Sequence, residues 1–74
     1  MEVTISEILK RPYQRVLIPD RDSGTVSAWI AEFPGCIAQG DSPEEAYRNL
    51  EAAASSWLEG AIDNNFPIPE PELL

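Results

Sequence analysis

The hydrophobic residues between positions 46 and 62 recur every three or four residues, which is the spacing of one face of an α-helix. Ser42 is suited to cap the start of this helix, Pro43 fits its first turn, and Glu45 completes a capping box with Ser42. Asn64 and Asn65 favour a stop, because asparagine adopts the left-handed conformation readily. The pattern predicts a helix of about twenty residues on which the rest of the chain packs. Its apolar positions are Ala46, Tyr47, Leu50, Ala53, Ala54, Trp57, Leu58, Ala61 and Ile62.

Two stretches before this helix are rich in β-branched and aromatic residues, as β-strands are. They cover residues 13–18 and 25–32, and residues 19–24 between them are of the kinds that turns prefer. We therefore predict an antiparallel hairpin, followed by a short third strand over residues 36–39.

Alternation along the second strand separates two faces of the predicted sheet. One set of side chains is uniformly apolar and is expected to pack on the long helix: Val26, Ala28 and Ile30. Trp29 then lies on the opposite face, which no predicted element covers. We expect this uncovered face to carry Trp29, Ile37 and either Leu17 or its neighbours, and to be a candidate contact surface.

The two ends of the chain leave alternatives open. Residues 1–10 resemble a short helix, with Thr4 and Glu7 forming a second capping box, although residues 3–5 alone would also suit a short strand. Near the other end, Ile68 stands between two prolines, which restrict it to an extended backbone that a sheet tolerates only at its edge. We predict that residues 66–71 form a short edge strand or a docked tail.

These elements predict an α+β fold in a single domain over residues 1–74. A three-stranded antiparallel sheet packs on one long helix, with a short N-terminal helix and a short C-terminal edge strand.

The composition restricts how so small a domain is stabilised. With 74 residues the chain buries a modest core, and its one cysteine and lack of histidine exclude an internal disulfide and an ordinary zinc site. Association with another chain is the remaining source of extra stability, so we expect an oligomer. The absence of a long apolar run or a signal-like N-terminus predicts a cytoplasmic protein without membrane contact.

The charge is distributed unevenly along the chain. Residues 1–24 carry four acidic and four basic side chains, whereas residues 25–74 carry nine acidic ones and a single base, Arg48. The resulting net charge of −8 repels nucleic-acid phosphate and suits a basic protein partner. The plainer explanation is that acidic surfaces keep small proteins in solution.

Candidate catalytic chemistry finds little support in the sequence. Cys36 has no histidine or positive neighbour to activate it and is better explained as a small core residue. Metal-dependent nucleases need clustered carboxylates, and the candidates are Asp20, Asp22, Glu32 and Asp41, but the two aspartates of residues 19–24 fit a hairpin turn. We therefore predict no enzyme activity, no metal and no cofactor.

Three segments together identify a family. The segments EFPGC at residues 32–36, QGDSPEEA at residues 39–46 and IPEP at residues 68–71 closely resemble the HicB-like antitoxin family at the same spacings. The resemblance extends over roughly residues 12–71.

The resemblance implies a truncated RNase H-like fold and a role in a toxin–antitoxin system. Members of the family bind and neutralise HicA-type toxins, which are small basic RNA-cleaving proteins, and are commonly dimers or tetramers. Many members add a C-terminal DNA-binding domain, but this sequence reaches Leu74 without one, so operator binding is not expected of it.

Two functions are therefore weighed for this chain. The first is an antitoxin-like protein that occludes the RNA-binding surface of a basic toxin. The second is a self-associating regulatory or structural module without a toxin partner. Either would use a protein interface, for which the sequence suggests Trp29, Leu17, Ile37, Glu32 and Asp41.

Overall fold

A computed structural model describes residues 3–72 and has the predicted α+β architecture. Three antiparallel strands lie side by side in their order along the chain, and a long helix covers one face of the sheet. The five elements are α1 at Ile5–Leu9, β1 at Arg15–Pro19, β2 at Val26–Ile30, β3 at Ile37–Gly40 and α2 at Pro43–Asp63.

Helix α2 begins and ends at the residues that the sequence indicates. The Ser42 hydroxyl accepts a hydrogen bond from the Glu45 N–H at 3.1 Å, and the Glu45 carboxylate accepts one from the Asp41 N–H at 2.9 Å. At the other end Asn64 caps the helix and Asn65 adopts a left-handed φ of 54°. The side chains that α2 buries against the sheet are Ala46, Leu50, Ala54, Leu58 and Ala61.

The two faces of β2 differ as predicted. Its buried side chains, which pack with those of α2, are Val26, Ala28 and Ile30. Trp29 is paired with Val16 on one neighbouring strand and with Ile37 on the other, so these three side chains share the opposite face.

The register corrects one expectation about the uncovered face. Leu17 is paired with Ala28, which is fully buried under α2, so Leu17 lies on the helix side of the sheet. Its neighbours Val16 and Ile18 take the uncovered face instead, which was the other alternative. Leu17 borders a shallow groove beside Pro43 and packs partly against the core.

An aromatic cluster closes the core at the end of the sheet near α1. Phe33 is almost fully buried between Tyr13 and Trp57, with ring-centre distances of 4.6 Å and 4.5 Å. The Trp57 indole also donates a hydrogen bond to the Pro34 carbonyl at 2.8 Å. Trp57 therefore packs on the core, as its helical position predicts.

The first helix is shorter than predicted. It begins at Ile5 with Thr4 as its N-cap, and the Thr4 hydroxyl accepts a hydrogen bond from the Glu7 N–H at 3.2 Å. The Thr4 cap is confirmed, but the Glu7 carboxylate accepts from the Thr4 hydroxyl at 3.1 Å in place of the reciprocal backbone bond of a capping box. The alternative strand over residues 3–5 does not form. Met1 and Glu2, which the predicted helix included, lie outside the described residues.

The chain beyond α2 forms a docked tail, and the predicted edge strand is absent from residues 64–72. The Tyr13 hydroxyl donates to the Pro69 carbonyl at 2.6 Å, and the Gln14 amide donates to the Glu72 carbonyl at 2.7 Å. Prolines 67, 69 and 71 have no N–H groups to donate to a strand. Side chains of the body therefore hold the tail in place of a ladder of backbone hydrogen bonds.

Candidate functional site

The side of the sheet away from α2 is an uncharged, partly apolar surface, which we call the open face. It consists of the outward side chains of the three strands: Val16, Ile18, Ser27, Trp29, Ile37 and Gln39. Ile37 is 65% exposed and Ile18 is 49% exposed, while Trp29 is half-buried between its cross-strand partners. Within residues 3–72, α1 packs against α2 and no element covers this surface.

Several outward positions of the strands hold apolar residues, although a solvated sheet face normally carries polar ones. Trp29 stands beside Ile37 because β2 and β3 are paired at these residues, and Val16 flanks Trp29 on the other side. Aromatic and β-branched cross-strand pairs of this kind stabilise a sheet. They also leave apolar area in contact with solvent, as binding surfaces do.

The acidic side chains lie elsewhere. Among the described residues, four exposed acids occupy the two ends of α2, and we call them the acidic helix set: Asp41, Glu44, Glu59 and Asp63. Glu70 and Glu72 extend this charge along the tail. The negative charge of the molecule is therefore separated from the open face, except at one rim, where Asp41 follows β3 and Asp20 follows β1.

Glu51 contributes less to the free negative charge because it is paired. Its carboxylate accepts a hydrogen bond from the Arg15 guanidinium at 2.6 Å, and the same guanidinium donates to the carbonyls of Leu9 and Tyr13. Partial burial alone would lower the pKa of Arg15, but the Glu51 carboxylate outweighs it and raises that pKa. The Arg15 guanidinium is therefore bound by groups of this chain and is not an exposed, unpaired cation of the kind that binds phosphate.

Glu32, which the sequence suggests as an interface residue, is buried and has a structural function. Its carboxylate accepts hydrogen bonds from the Gln14 N–H at 3.0 Å and from the Glu72 N–H at 2.8 Å. Burial alone would raise the pKa of Glu32, but these N–H donors, with the charge of Arg15, hold the pKa below its usual value. Glu32 therefore does not lie on the open face, because its carboxylate is buried and joins β1 to the tail; a role for it at a protein interface stays a prediction.

The structure brings together only part of the predicted interface. Trp29 and Ile37 are neighbours on the open face, whereas Leu17 lies on the helix side and Glu32 lies at the far end of the sheet. Asp41 is exposed at the rim, where its N–H is held by the capping box.

Sequence reasoning left open whether Leu17 or its neighbours Val16 and Ile18 belong to the open face. Val16, Leu17 and Ile18 are all apolar, so this strand shows no alternation from which its faces could be read. Only the pairing with β2 decides which of the three side chains point away from α2.

Two further candidate catalytic groups, the Asp20 carboxylate and the Cys36 thiol, have structural surroundings. Asp20 and Asp22 stand in the β1–β2 turn, where the Asp22 N–H donates to the Asp20 carboxylate and lowers the pKa of Asp20. Cys36 is buried, and burial, with a smaller effect of the Glu51 charge, raises the pKa of its thiol. No three potential metal-ligating side chains among residues 3–72 come together as a metal site. In the same part of the chain, no helix is long and apolar enough to cross a membrane.

Comparison with known proteins identifies the family. Residues 13–74 match the profile described as the HicB-like antitoxin of bacterial toxin–antitoxin systems. Two relatives come from Synechocystis sp.: UPF0150 protein ssr1765 is 32% identical over 59 residues, covering 80% of this chain and 75% of the relative. UPF0150 protein ssl0259 is 35% identical over 63 residues, covering 81% of each chain. No solved structure matches significantly, so the RNase H-like part of the resemblance stays a prediction. The chain belongs to the HicB-like antitoxin family, whose members act as antitoxins in bacterial toxin–antitoxin systems.

Proposed function

We propose that this protein binds a small basic HicA-type toxin in the cytoplasm and prevents it from cleaving mRNA by covering its RNA-binding surface. Membership of the antitoxin family supports a toxin partner in general. We also propose the class of the toxin and the occlusion mechanism. In this proposal residues 1–74 act as one domain, and that domain does not contact DNA.

The observation that carries this proposal is the excess of exposed negative charge on and around α2. Residues 25–74 carry nine acids and one base, and the acidic helix set is free of ion pairs among the described residues. An RNA-binding surface is basic because it must attract phosphate. A compact acidic protein competes for such a surface through the same attraction, and complementary charge also accelerates the encounter.

Occlusion requires no chemistry from the antitoxin. Cys36 lies in the core, and the Glu32 carboxylate is bound by backbone N–H groups. Binding alone withholds the toxin's surface from RNA, without a cofactor or a metal.

The experiment is co-expression with the small basic protein encoded beside this gene, followed by co-purification and an RNA-cleavage assay. We expect a complex that suppresses cleavage and weakens as salt rises, because charged contacts are screened. Glu44→Lys combined with Asp63→Asn should weaken binding more than Asp22→Lys combined with Asp20→Asn, a control that makes the same change of charge in the acidic turn instead. A cognate toxin that does not associate at moderate salt would overturn the proposal.

A second candidate function is a self-associating regulatory or structural module without a toxin partner. The uncharged open face supports it, since a basic toxin finds no charged partner there. A gene neighbourhood without a small basic protein would favour this alternative. Trp29→Ala discriminates the surfaces: loss of toxin binding without loss of fold would locate the toxin on the open face.

A further inference from the structure

We infer that a groove at the C-terminal end of α2 receives an arginine side chain of a basic protein partner. The groove lies between the last turns of α2, Pro34 and Phe66, and we call it the aromatic groove. This inference rests on the proposed function and deepens it, because it states which part of this chain holds the toxin and which side chain of the toxin it takes. It follows from the rings that line the groove, from the acids beside it and from Gly60.

Two aromatic rings form a corner of the aromatic groove, which has a volume of about 490 Å³ and a largely apolar lining. The rings of Trp57 and Phe66 stand at 87° to each other with their centres 5.9 Å apart, and Phe66 is 51% exposed. Trp57 is held in place by stacking on Phe33 and by its hydrogen bond to the Pro34 carbonyl. The faces of such rings attract a guanidinium group, and the carbon stem of arginine packs on apolar surface.

Two exposed acids, Glu59 and Asp63, border the aromatic groove on the neighbouring side of α2. They precede Gly60 and Asn64, which line the groove, and they are four residues apart, so the two acids share one side of the helix. That side is turned by about 100° from the positions of Gly60 and Asn64. The acids therefore lie at the rim of the groove, where they attract a cation without occupying the space between the rings.

The place of these acids is unfavourable for the folded chain alone. The C-terminal end of a helix carries partial negative charge, and the last turn of α2 contains no basic residue. Neither Glu59 nor Asp63 forms an ion pair within residues 3–72. A cation bound in the aromatic groove interacts favourably with both carboxylates and with the helix end. Charge complementarity therefore favours a cationic occupant over a neutral apolar one.

Gly60 keeps the aromatic groove open. It stands inside α2, where glycine is less favourable than alanine, and it does not have the positive φ that would require a glycine. A Cβ added at Gly60 meets no atom within 4 Å, so the fold has room for a side chain that the sequence does not supply. Because Gly60 lines the groove, that room belongs to the groove. An occupant from another chain accounts for this glycine.

NMR titration of the ¹⁵N-labelled chain with the peptide acetyl-Gly-Arg-Gly-amide tests the groove without the toxin. We expect the indole N–H signal of Trp57 and the backbone signals of residues 59–66 to shift and to saturate at about 1–10 mM peptide, because one side chain binds weakly on its own. Trp29→Phe identifies the Trp57 signal, since the chain has two tryptophans. Peptides with leucine or with neutral citrulline in place of arginine should bind at least about fivefold more weakly.

A change of charge at the rim should weaken binding of the arginine peptide. We expect a loss of about fivefold from Glu59→Gln combined with Asp63→Asn, because both rim carboxylates become neutral. Asp20→Asn combined with Asp22→Asn is the matched control, since it removes the same charge from the β1–β2 turn and should leave peptide binding nearly unchanged.

Gly60→Leu should fill the aromatic groove without harming the fold, because leucine favours a helix and the space at this position is empty. We expect this variant to remain at least as stable as the wild type, to lose the peptide-induced shift of Trp57 and to bind the toxin about tenfold more weakly. Ala52→Leu is the matched control, since it adds the same side chain at an exposed position of α2 about two turns earlier.

Three results would overturn the inference. The first is a Trp57 signal that does not move at arginine-peptide concentrations up to about 20 mM. The second is a leucine peptide that binds as tightly as the arginine peptide. The third is a Gly60→Leu chain that binds the toxin as tightly as the Ala52→Leu chain does. If the wild-type chain binds no toxin, the proposed function fails, and the peptide titration still decides whether the aromatic groove takes arginine.

Discussion

At the scale of single residues, Glu32 is buried and structural, although most acidic side chains of a small acidic protein are exposed. Among residues 3–72 it is the one buried acid, and its carboxylate joins the start of the sheet to the tail. Carboxylates that accept backbone N–H groups form hydrogen bonds stronger than those between neutral groups.

Glu32→Gln should lower the free energy of unfolding by about 1–3 kcal/mol. The glutamine amide keeps the shape of the side chain but loses the charge. Its oxygen can accept one of the bonds from Gln14 and Glu72, whereas its NH₂ group cannot accept the other. Urea denaturation measures the change. Glu70→Gln is the matched control, since Glu70 is exposed on the same tail and should change stability by less than about 0.5 kcal/mol.

The stability of the wild-type protein should fall more steeply in acid than that of Glu32→Gln. The pKa of Glu32 is lower in the folded chain than in the unfolded chain, so its contribution is complete above the unfolded value of about 4.3. The contribution is lost as the pH falls through the lower pKa of the folded protein, with Arg15 remaining charged throughout. Parallel acid denaturation curves of the two proteins would contradict this assignment.

At the scale of elements, the joint between β3 and α2 depends on Gly40. A Cβ added at Gly40 would lie 2.4 Å from the Ala46 backbone nitrogen, whereas one added at Gly60 meets no atom within 4 Å. The helix start therefore packs directly on the strand end, where any side chain would push the two apart.

Gly40→Ala should destabilise the fold by about 2 kcal/mol or more, and Gly60→Ala should stabilise it by about 1 kcal/mol. The first substitution forces backbone apart, and the second improves helix propensity at an exposed position of α2. Thermal unfolding of both variants measures the difference. Equal effects would show that the joint can relax around a methyl group.

The elements that the sequence predicts best are those with local signals. Ser42 and Glu45 mark the start of α2 because a cap is made within four residues, and Val26, Ala28 and Ile30 reveal the faces of β2 by their own alternation. These signals require no knowledge of distant residues.

Features that depend on residues far apart in the chain could not be predicted from the sequence. The faces of β1 are fixed by pairing with β2, so Leu17 could not be separated from Val16 and Ile18. The burial of Glu32 depends on Glu72, forty positions along the chain. The candidate site shows the same difference. Trp29 is predicted from the alternation within its own strand, whereas the full set of residues on the open face depends on how the strands pair.

At the scale of the whole molecule, the net charge of −8 opposes folding, because like charges are brought close together in the folded chain. Residues 25–74 concentrate the charge, and α2 carries Glu59 and Asp63 near its C-terminus, where the helix dipole is also negative. Arg15–Glu51 is the ion pair among the described residues that offsets part of this repulsion.

Raising NaCl from about 10 mM to about 150 mM should therefore raise the melting temperature, because screening weakens the repulsion within the folded chain. Dilute protein keeps dimer formation out of the measurement. The variant Glu59→Gln with Asp63→Asn serves as the control and should show a smaller rise. An unchanged melting temperature would mean that the acids are already too far apart to interact.

The docked tail has a consequence for the order in which the chain folds. The hairpin of β1 and β2 closes a short loop, whereas the Tyr13–Pro69 hydrogen bond joins residues 56 positions apart. Contacts of such long range form late, after the transition state, because the chain must first lose the entropy of closing the loop.

Tyr13→Phe should therefore speed unfolding about fivefold and leave the folding rate nearly unchanged, for a loss of about 1 kcal/mol. The substitution removes the hydroxyl that holds Pro69 and keeps the ring that packs on Phe33. Stopped-flow measurement in urea separates the two rates, and a slowed folding rate would place the tail in the folding nucleus. The docked tail thus governs how long the native protein persists, more than how quickly it forms.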